Sequence, residues 1–387
     1  MTKLEELIQE LCPDGVEFCP LEQCCNILDK KRKPVTKSAR EAGDYPYYGA
    51  NGIQDYVSDY IFDGTFILVG EDGSVITDRG TPVVTWASGK IWVNNHAHII
   101  EESGDVLLRY LYHYIQTIDV SPLIHGNIPK LTGGDFKALQ IPVPPLPVQR
   151  EIVRILDNFT ELTAELTAEL TARKKQYAYY RDKLLSTNNS SVPVVELRDI
   201  VKKSCSGATP AKGNAEYYEN GTIPWIRTQD VRFNEITEVN SYITEKAVSE
   251  TATKWIPENC VIVAISGATA GRCAINKIKA TTNQHCLNLI IDDSMALYRY
   301  VFHCLCSKYE ELISRKQGAR GDLNSSLILS LPIPIPSLEV QKRLVEVLDN
   351  FDAICSDLKI GLPAEIEARQ KQYEYYRDKL LTFTPAN

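Results

Sequence analysis

Apolar side chains recur at helical spacing through a long stretch that follows a proline-rich entry. Residues 148–185 contain neither glycine nor proline. Their apolar positions fall mostly three or four residues apart, as they do on one face of an α-helix. These positions are Ile152, Ile155, Leu156, Phe159, Leu162, Leu166 and Leu170. At about 1.5 Å per residue, a helix of this length extends roughly 57 Å.

A second stretch with the same character lies near the other end of the chain. A solitary helix of such length needs an apolar partner, and residues 338–381 supply one. We therefore expect the two helices to pack antiparallel. The second stretch contains Gly361, Leu362 and Pro363. An interior proline removes a hydrogen bond and clashes with the preceding turn, so we expect a kink or a break there.

Both stretches belong to an internal repeat. The proline-rich entry at 141–149 and the Leu-Asp-Asn-Phe segment at 156–159 recur 192 residues later. The segment Lys-Gln-Tyr-Ala-Tyr-Tyr-Arg-Asp-Lys-Leu-Leu at 175–185 recurs with one substitution 196 residues later. The second helical stretch is therefore four residues longer than the first. The chain consists of two modules, each of which is a globular part followed by a helix.

The globular parts alternate short apolar runs with turn residues, which is typical of strands. The clearest runs are 65–70, 81–86 and 260–267, and short helices are predicted at 105–116 and 295–307. The predicted fold class is mixed α/β (α+β): two globular domains alternate with two long helices that pack as an antiparallel coiled coil, with pseudo-twofold repetition. The predicted segments are 1–145, 146–187, 188–335 and 336–387.

A short repeat occupies the first helix, where three copies of Glu-Leu-Thr-Ala run from Glu161 to Ala172. Four residues advance a helix by about 400°, so the leucine stripe drifts instead of holding a heptad seam. One interpretation is a good helix-forming filler. The other is a ruler, in which one copy more or less changes the distance between the modules by about 6 Å without breaking the helix.

The net charge of −8 does not by itself suggest a nucleic-acid-binding protein. Short basic runs nevertheless offer local positive charge to phosphates, unless they are merely solvated surface. These runs are residues 30–33 with Lys37 and Arg40, residues 173–175, Lys202 with Lys203, and Arg315 with Lys316 and Arg320.

Other features limit the class of protein. Thr2 and Glu5 have the spacing of a helix capping box, and glutamates interrupt the apolar run of the N-terminus, so no signal peptide is predicted and a cytoplasmic location is expected. The 11 cysteines include no C-x-x-C pair, which favours buried free thiols over disulfides or a metal site. Trp86, Trp225 and Trp255 are expected in the core.

Signatures of catalysis are absent from the sequence. Gly89 and Lys90 are followed by Ile91, so the chain has no P-loop for ATP hydrolysis. The only Pro-Pro pair, at 144–145, lacks the acidic or amide residue and the aromatic residue that flank it in adenine amino-methyltransferases. The glycine-rich segment 266–271 lacks the phosphate-binding lysine and is interpreted as a tight loop at a strand end. We expect a chain that binds and does not catalyse.

The proline-rich entry, the Leu-Asp-Asn-Phe segment, the Lys-Gln-Tyr-x-Tyr-Tyr-Arg-Asp-Lys-Leu-Leu ending and the two-copy layout resemble the specificity subunits of type I restriction-modification systems. The resemblance spans essentially the whole chain. It implies two target recognition domains, each of which reads one half of a bipartite, asymmetric site in double-stranded DNA. It also implies that the short helical repeat sets the spacer between the half-sites.

The resemblance further implies partners that carry the chemistry. Two modification subunits would dock on the helices, bind S-adenosylmethionine and methylate adenine N6. Restriction subunits would add translocation and cleavage driven by ATP with Mg²⁺. No cofactor is expected in this chain itself. Two alternatives stay open: a coiled-coil interaction scaffold without a DNA role, and a silent or phase-variable specificity subunit that assembles but directs no cleavage.

Candidate DNA-contacting residues are polar or positively charged side chains next to turns, because Arg suits guanine and Asn or Gln suits adenine in the major groove. In the first module they are Tyr48, Asn51, Ser88, Lys90, Asn94, His96, Asn127 and Lys130. In the second they are Arg227, Gln229, Arg232, Thr269, Gln284, His285, Arg320 and Asn324.

Candidates for helix packing or partner docking are the apolar and aromatic positions of the two helical stretches. They are Ile152, Leu156, Phe159, Leu162, Leu166, Leu170, Tyr177, Tyr180, Leu348, Phe351, Tyr373 and Tyr376.

Overall fold

The computed structural model describes residues 2–73, 75–186, 191–315 and 322–386. The chain folds as two units. Unit 1 comprises Met1–Thr167 and Glu365–Asn387, and unit 2 comprises Ala168–Ala364. Each unit therefore combines one globular part with portions of both helical stretches, whereas the segments predicted from the sequence keep each stretch whole.

Unit 1 is built on a sheet whose inner strand, Phe62–Gly70, contributes to two cores. Ile67 and Val69 pack into the core that the helices cover, whereas Phe66 and Leu68 pack into a second core. Successive residues of a strand face opposite sides, so a strand that is covered on both faces reads as a continuous apolar run. In the part of unit 1 that is described, the sheet order is Cys25–Ile27, Ala97–Glu102, Phe62–Gly70, Val84–Val93, Ala42–Gly49 and Gly52–Val57.

The first helix of unit 1 confirms the predicted capping box. Thr2 Oγ1 accepts the Glu5 N–H at 3.3 Å, and Glu5 Oε2 accepts the Thr2 N–H at 2.7 Å. The α-helices of this unit are Lys3–Leu11, Leu21–Cys24, Leu108–Ile115 and Gly133–Lys137, with the first part of Leu146–Leu184 and most of Leu362–Leu380. Short strand pairs join Phe18–Pro20 to Gln140–Pro142 and Ile124–His125 to Lys130–Leu131.

Unit 2 repeats this plan around the strand Val261–Ala264. Val261 and Val263 pack into the core that contains residues of the helix Tyr298–Ser307, whereas Ile262 and Ala264 pack into another core. The larger sheet has the order Val201–Ser206, Cys286–Ile291, Val261–Ala264, Cys273–Asn276 and Asn234–Ile236. The smaller sheet has the order Tyr242–Ile243, Ile223–Ile226, Ala280–Thr282 and Trp255–Ile256.

The helices of unit 2 confirm the prediction of short helices between strands. The helix predicted at 295–307 is Tyr298–Ser307, and the one predicted at 105–116 in unit 1 is Leu108–Ile115. The strand pair Val194–Glu196 with Pro332–Pro334 repeats the pair Phe18–Pro20 with Gln140–Pro142. The α-helices are Glu245–Glu250, Tyr298–Ser307, Tyr309–Ser314, Ser325–Leu329 and Leu338–Ser356, preceded by the last part of Leu146–Leu184.

The second helical stretch is broken where the sequence predicted a kink or break. It forms Leu338–Ser356 and Leu362–Leu380, and the residues between them are not helical. Pro363 lies in the first turn of the later helix, where its missing N–H leaves no helical bond unmade. A Cβ at Gly361 would lie 2.5 Å from the carbonyl oxygen of Ala353, so this position requires glycine.

A buried glutamine anchors the first turn of each long helix. Gln149 is fully buried; its Nε2 donates to the carbonyl oxygens of Asp105 and Pro144 at 2.9 and 2.8 Å, and its Oε1 accepts the Leu107 N–H at 2.9 Å. Gln341 makes the three corresponding bonds in unit 2, at distances of 2.9 to 3.1 Å. The junction of helix and globular part is therefore built identically in both repeats.

A buried histidine extends this junction in unit 1. His113 Nε2 lies 2.8 Å from Asp157 Oδ1, and Arg109 Nε donates to the same oxygen at 2.7 Å. The other ring nitrogen, Nδ1, lies 2.8 Å from the hydroxyl of Tyr373, which belongs to the repeated Lys-Gln-Tyr segment at the chain end. The hydroxyl of Tyr373 thus ties the last helix to the globular part of unit 1.

Unit 2 contains the same constellation. His303 Nε2 lies 2.7 Å from Asp349 Oδ1, Arg299 donates to Asp349, and His303 Nδ1 lies 3.4 Å from the hydroxyl of Tyr177. Tyr177 is the repeat equivalent of the tyrosine that contacts the histidine in unit 1. Each unit therefore holds its histidine with a tyrosine from the tail of a long helical stretch.

Burial and hydrogen bonding shift the pKa values of the aspartates in this cluster in opposite directions. Burial raises the pKa of Asp157, but the hydrogen bonds from His113 and Arg109 outweigh burial and hold that pKa below its ordinary value. The pKa of Asp349 is lowered for the same reasons, with burial opposed by His303 and Arg299. Burial lowers the pKa of His113, which favours the neutral ring.

None of the described helices combines the length and apolar character that a membrane crossing requires.

Substitution Tyr373→Phe should destabilise unit 1, because it leaves a nitrogen of the buried His113 without its partner. We expect a loss of about 1–3 kcal/mol, which lowers the melting temperature by roughly 2–4 °C per kcal/mol in a domain of this size. The control is Tyr375→Phe in the same helix, since the Tyr375 side chain is 62% exposed. Equal melting temperatures for both variants would contradict the proposed role of the hydroxyl.

Acidification should destabilise unit 1 through His113. Its pKa in the folded chain is below the ordinary 6.5, so in the window below 6.5 the unfolded chain binds a proton that the folded chain does not. The free energy of unfolding therefore falls as the pH falls through this window, and Asp157 adds a further loss below its ordinary 3.8.

Denaturant unfolding between about pH 7.5 and 5.5 measures this effect. His113→Gln should flatten the pH dependence, whereas His285→Gln, which changes an exposed ring, should keep the wild-type slope. A slope in the first variant as steep as in the wild type would exclude His113 as the source.

Candidate nucleic-acid interface

In unit 1, a charge network beside the inner strand positions two of the predicted DNA-contacting residues. The Glu71 carboxylate pairs with Arg32 Nη1 at 2.6 Å and with Lys130 Nζ at 3.2 Å. The Glu71 N–H donates to the carbonyl oxygen of His96 at 2.8 Å, and the ring of His96 bonds the Asp72 carboxylate. His96 and Lys130 are both exposed, and they lie beside the same pair of acidic residues.

A buried histidine completes this network. His98 Nδ1 lies 2.6 Å from Asp29 Oδ2, and Nε2 lies 3.1 Å from the carbonyl oxygen of Leu131. Both ring nitrogens therefore face an oxygen that can accept a hydrogen bond. Phe136 stacks on it at 4.1 Å between ring centroids. Burial raises the pKa of Asp29, but the bond and charge of His98 outweigh burial and lower it overall.

The same residues include a group with metal-ligand spacing. Asp29, Glu71 and His98 each offer an atom within 4.8 Å of the others. Arg32 and Lys130 already pair with these carboxylates, and each ring nitrogen of His98 already lies at hydrogen-bond distance from a protein oxygen. A cation would have to displace the protein's own positive charges. We therefore assign the group to structural support of the His96 loop.

Further candidates in unit 1 are exposed on turns and on one strand. Lys90 lies beside Tyr60 and Tyr45, with its Nζ 4.6 and 6.0 Å from the ring centroids, and electrostatic interaction with both residues raises its pKa. Ser88 lies two positions earlier on the same strand and hence on the same face. Asn51 and Asn127 are exposed on turns.

Tyr48 and Asn94 lie in the interior instead, where they are 7% and 3% exposed. The Tyr48 carbonyl accepts the Asn94 N–H at 3.0 Å, and Asn94 Oδ1 accepts the His96 N–H at 2.8 Å. Asn283 does the same for His285 in unit 2, at 3.0 Å. These asparagines shape the loop that presents the histidine, so we leave Tyr48 and Asn94 out of the candidate surface.

The most basic stretch of unit 1 is largely neutralised by the protein itself. Arg32 pairs with Asp29 and Glu71. Arg40 pairs with Asp55 at 3.1 Å and stacks on Tyr47, 4.1 Å from the ring centroid. The guanidinium groups of this stretch therefore stabilise the fold, and its lysines are the cations left for a partner.

Unit 2 contains a cavity of about 820 Å³ that brings three predicted residues together. Arg227, Gln284 and His285 line it, together with Trp225 and Lys212. Gln284 accepts the Thr209 hydroxyl, and its Nε2 lies 3.2 Å from His285 Nε2. The cavity therefore offers hydrogen-bond donors and acceptors beside the ring of Trp225. This combination is suited to binding the polar edge of a ligand.

Arg227 has an unusual environment on this wall. Its guanidinium lies 5.8 Å from the ring centroid of Trp225, and its Nε is buried without a hydrogen-bond partner among the described residues. The carboxylate of Asp230 accepts the Arg227 backbone N–H at 2.8 Å and not the side chain. An unbonded buried donor costs free energy in the free protein, so a ligand that supplied an acceptor would be favoured.

The remaining candidates of unit 2 lie on neighbouring turns. Gln229 and Arg232 are exposed, and Arg232 Nε donates to the Gln229 carbonyl oxygen at 2.6 Å. Thr269 is half-buried on the turn Gly267–Thr269. Asn324 is exposed and caps a helix by accepting the Leu327 N–H at 2.8 Å. The predicted residue Arg320 lies outside the described residues.

Several helix positions predicted for packing or docking are buried inside the units. Ile152 and Leu156 belong to the core of unit 1, and Leu348 belongs to the core of unit 2. Their side chains are at most 1% exposed, so they hold the helices to the globular parts and cannot contact another protein.

The aromatic helix positions pack against each other within each unit. Phe159 stacks on Tyr376 in unit 1 with centroids 5.4 Å apart, and Phe351 meets Tyr177 and Tyr180 in unit 2 at 6.5 and 6.4 Å. Tyr373 binds the buried histidine described above. Leu162, Leu166 and Leu170 are half-buried.

Unit 2 confirms the predicted antiparallel direction of the helical stretches. Phe351 meets Tyr177, whereas Cys355, one turn later, lies near Lys174, about one turn earlier on the other helix. The two helices therefore run in opposite directions in this unit.

The sequence prediction missed the aromatic residues that support the exposed cations. Tyr45 and Tyr60 flank Lys90, and Tyr218 packs edge-on against Trp225 behind the cavity. These neighbours come from different strands and turns, so no local spacing signals them. Trp225 is buried as expected, but the expectation for Trp255 is wrong: it is 42% exposed, with Lys279 Nζ 4.7 Å from its ring centroid.

Comparison with known families gives a match over most of the chain. Residues 13–173 and 189–368 each match the family described as type I restriction modification DNA specificity domain. The two matched ranges correspond to the two modules of the internal repeat.

Curated relatives match along nearly the full length. A putative type I restriction enzyme specificity subunit of Haemophilus influenzae is 35% identical over 400 aligned positions, which cover 99% of both chains. The EcoR124I/EcoR124II specificity subunit of Escherichia coli is 38% identical over 325 positions, which cover 80% of both chains.

Solved structures share the fold at low identity. The crystal structure of a type I restriction-modification S subunit from M. genitalium has a TM-score of 0.56 at 15% identity and covers 95% of this chain and 96% of its own. A structure described in work on complex assembly and conformational transition of the type I R-M system has a TM-score of 0.61 at 15% identity, with coverage of 95% and 98%.

Proposed function

This chain belongs to the family of type I restriction-modification DNA specificity subunits, and from that premise we propose that its two units read the two halves of one bipartite, asymmetric DNA site. The observation that carries the proposal is the repetition of the scaffold without repetition of most of the exposed polar residues. A site of two different halves requires two similar supports that present different side chains.

The supports are alike at the level of individual bonds. Gln149 and Gln341 make corresponding bonds, as do His113 and His303. Apart from the equivalent histidines His96 and His285, the presented side chains differ. Unit 1 exposes Asn51, Ser88, Lys90, His96, Asn127 and Lys130, whereas unit 2 presents Arg227, Gln229, Arg232, Thr269, Gln284, His285 and Asn324. We propose these two sets as the DNA-contacting surfaces.

The helical stretches are proposed to hold the half-sites at a set spacing and to dock two modification subunits. Exposed apolar side chains on the helix Leu338–Ser356 support a docking role: Val340 is 43%, Val347 48% and Ile354 45% exposed. Apolar side chains of this size are favourable contacts for a protein partner. The buried helix positions named above serve the units themselves.

In the proposed complex, the chemistry belongs to the partners. The modification subunits bind S-adenosylmethionine and methylate adenine N6, and the restriction subunits use ATP with Mg²⁺ for translocation and cleavage in the cytoplasm. Partner subunits also supply part of the phosphate contact, which relieves the conflict between DNA binding and a net charge of −8. This chain determines which DNA sequence the complex recognises.

Methylated adenines mapped in cells with and without this chain, together with its modification partner, should reveal a two-part motif. Exchange of residues 1–145 for the equivalent segment of the Haemophilus influenzae relative should change one half of that motif and leave the other half and the spacer intact. The matched exchange of 188–335 should change the other half. A change of both halves by either exchange would refute separate reading, and a complex that assembles but methylates nothing would favour the scaffold or silent-subunit alternatives.

Insertion of a fourth Glu-Leu-Thr-Ala copy after Ala172 should lengthen the spacer, because four residues add about 6 Å of helix, close to two base pairs of DNA at about 3.4 Å each. Both half-sites should stay the same. Insertion of Glu-Ala-Ala-Lys at the same place adds the same helix length with a different sequence. An equal lengthening of the DNA spacer by both insertions would support the ruler interpretation. An unchanged spacer with either insertion would leave the repeat as a helix-forming filler.

A further inference from the structure

Carboxylates neutralise the arginines of the first globular part. Arg32, Arg40, Arg79 and Arg109 each form an ion pair with an acidic side chain of unit 1. An arginine held in this way keeps its donors occupied and its charge compensated. In the described globular part of unit 1, therefore, no arginine has a guanidinium free to bind a base edge.

The second globular part differs in this respect. Of its described arginines, Arg227, Arg232 and Arg272 form no ion pair with a described residue, whereas Arg198, Arg299 and Arg315 each pair with an acidic side chain. Of these three unpaired arginines, Arg227 is the one that lines the cavity of unit 2. Its donors are free for a ligand that enters there.

The wall behind Arg227 is built and rigid. Trp225 is 7% exposed, its Nε1–H donates to the carbonyl oxygen of Ala208 at 3.2 Å, and Tyr218 packs edge-on against it at 6.1 Å. The hydroxyl of Tyr218 in turn donates to the Pro210 carbonyl oxygen at 2.5 Å. The Trp225 ring beside Arg227 is thus held by one hydrogen bond of its own and by contact with Tyr218, which a second hydrogen bond fixes, and this restricts the positions that the guanidinium adopts.

We infer that Arg227 reads a guanine in the half-site bound by unit 2, an inference that rests on the proposed function. Guanine presents two acceptors, O6 and N7, in the major groove, and the planar guanidinium supplies two parallel donors to them. Adenine presents one acceptor and one donor at the same place, so it cannot accept both bonds. The Nε of Arg227 has no hydrogen-bond partner among the described residues, so no described group holds the guanidinium through it.

The cavity also separates a base contact from a phosphate contact. Glu219 lines it without pairing with Arg227, and the planar guanidinium of an arginine suits a base edge that accepts two parallel hydrogen bonds. Lys212 lines the cavity as well and is exposed. A lysine suits a phosphate as a point charge. Arg227 therefore discriminates bases, whereas Lys212 is the residue placed to bind backbone.

The test uses the full chain assembled with its modification subunits, on synthetic duplexes that carry the mapped site and single changes in the second half-site. Arg227→Lys keeps the charge but loses the two parallel donors. We expect the preference for guanine at one position of that half-site to fall by about 10- to 100-fold, with the first half-site unchanged. Arg198→Lys, at an exposed ion pair of the same unit, is the matched control and should keep full specificity.

Lys212→Gln supplies the contrasting result. It should slow methylation of all duplexes alike and weaken the dependence on salt, as the loss of a phosphate contact does. The same uniform slowing in Arg227→Lys, without relaxed specificity, would overturn the inference. So would an unchanged guanine preference.

Two measurements on the wild-type chain avoid variants that fail to fold. A mapped second half-site without a G·C pair would refute the inference directly. If a guanine is present, 7-deazaguanine at that position removes the N7 acceptor, and we expect methylation to fall by about 10-fold; no effect at any guanine of that half-site overturns the inference. Absence of a two-part motif in the wild-type methylation map would instead refute the proposed function.

Discussion

The attachment of each long helix depends on a buried amide whose three hydrogen bonds all go to backbone groups. Gln149 and Gln341 are both fully buried, and each bonds the loop before a short helix and the proline-rich entry of its own helix. A buried amide that lost these partners would cost about 1–3 kcal/mol per group. Only one register of helix against globular part satisfies all three bonds, so the direction in which each helix leaves its unit is set by this residue.

The buried histidine of each unit connects the repeat to its function. His113 and His303 bind an aspartate of the helix start and a tyrosine of the helix tail. Because both units use the same residues for this junction, the scaffold stays constant while the loops above it are free to differ. A protein that reads two different half-sites gains its asymmetry from those loops at no cost to the junction.

The acidic composition acquires a structural explanation. Asp29, Glu71 and Asp55 are paired with the cations of the most basic stretch of unit 1, so much of the negative charge stabilises positive charge within the fold. Among the described arginines of the two globular parts, those without an ion pair are few, namely Arg227, Arg232 and Arg272. Net charge is therefore a poor guide to DNA binding here, because the distribution of pairs decides which cations face a ligand.

Local chemistry alone determined the repeat, the long helices and the interruption before Pro363, since helical spacing, capping residues and a missing N–H act within a few residues of one another. The exposure of individual side chains could not be predicted from these local signals. Tyr48 and Asn94 have the polar character and the turn positions expected of DNA-contacting residues, yet parts of the chain distant in sequence bury them. Whether Arg227 faces an acid or an open cavity, and which histidine Tyr373 contacts, likewise depended on neighbours far along the chain. Only the tertiary structure, through burial and long-range pairing, decided those.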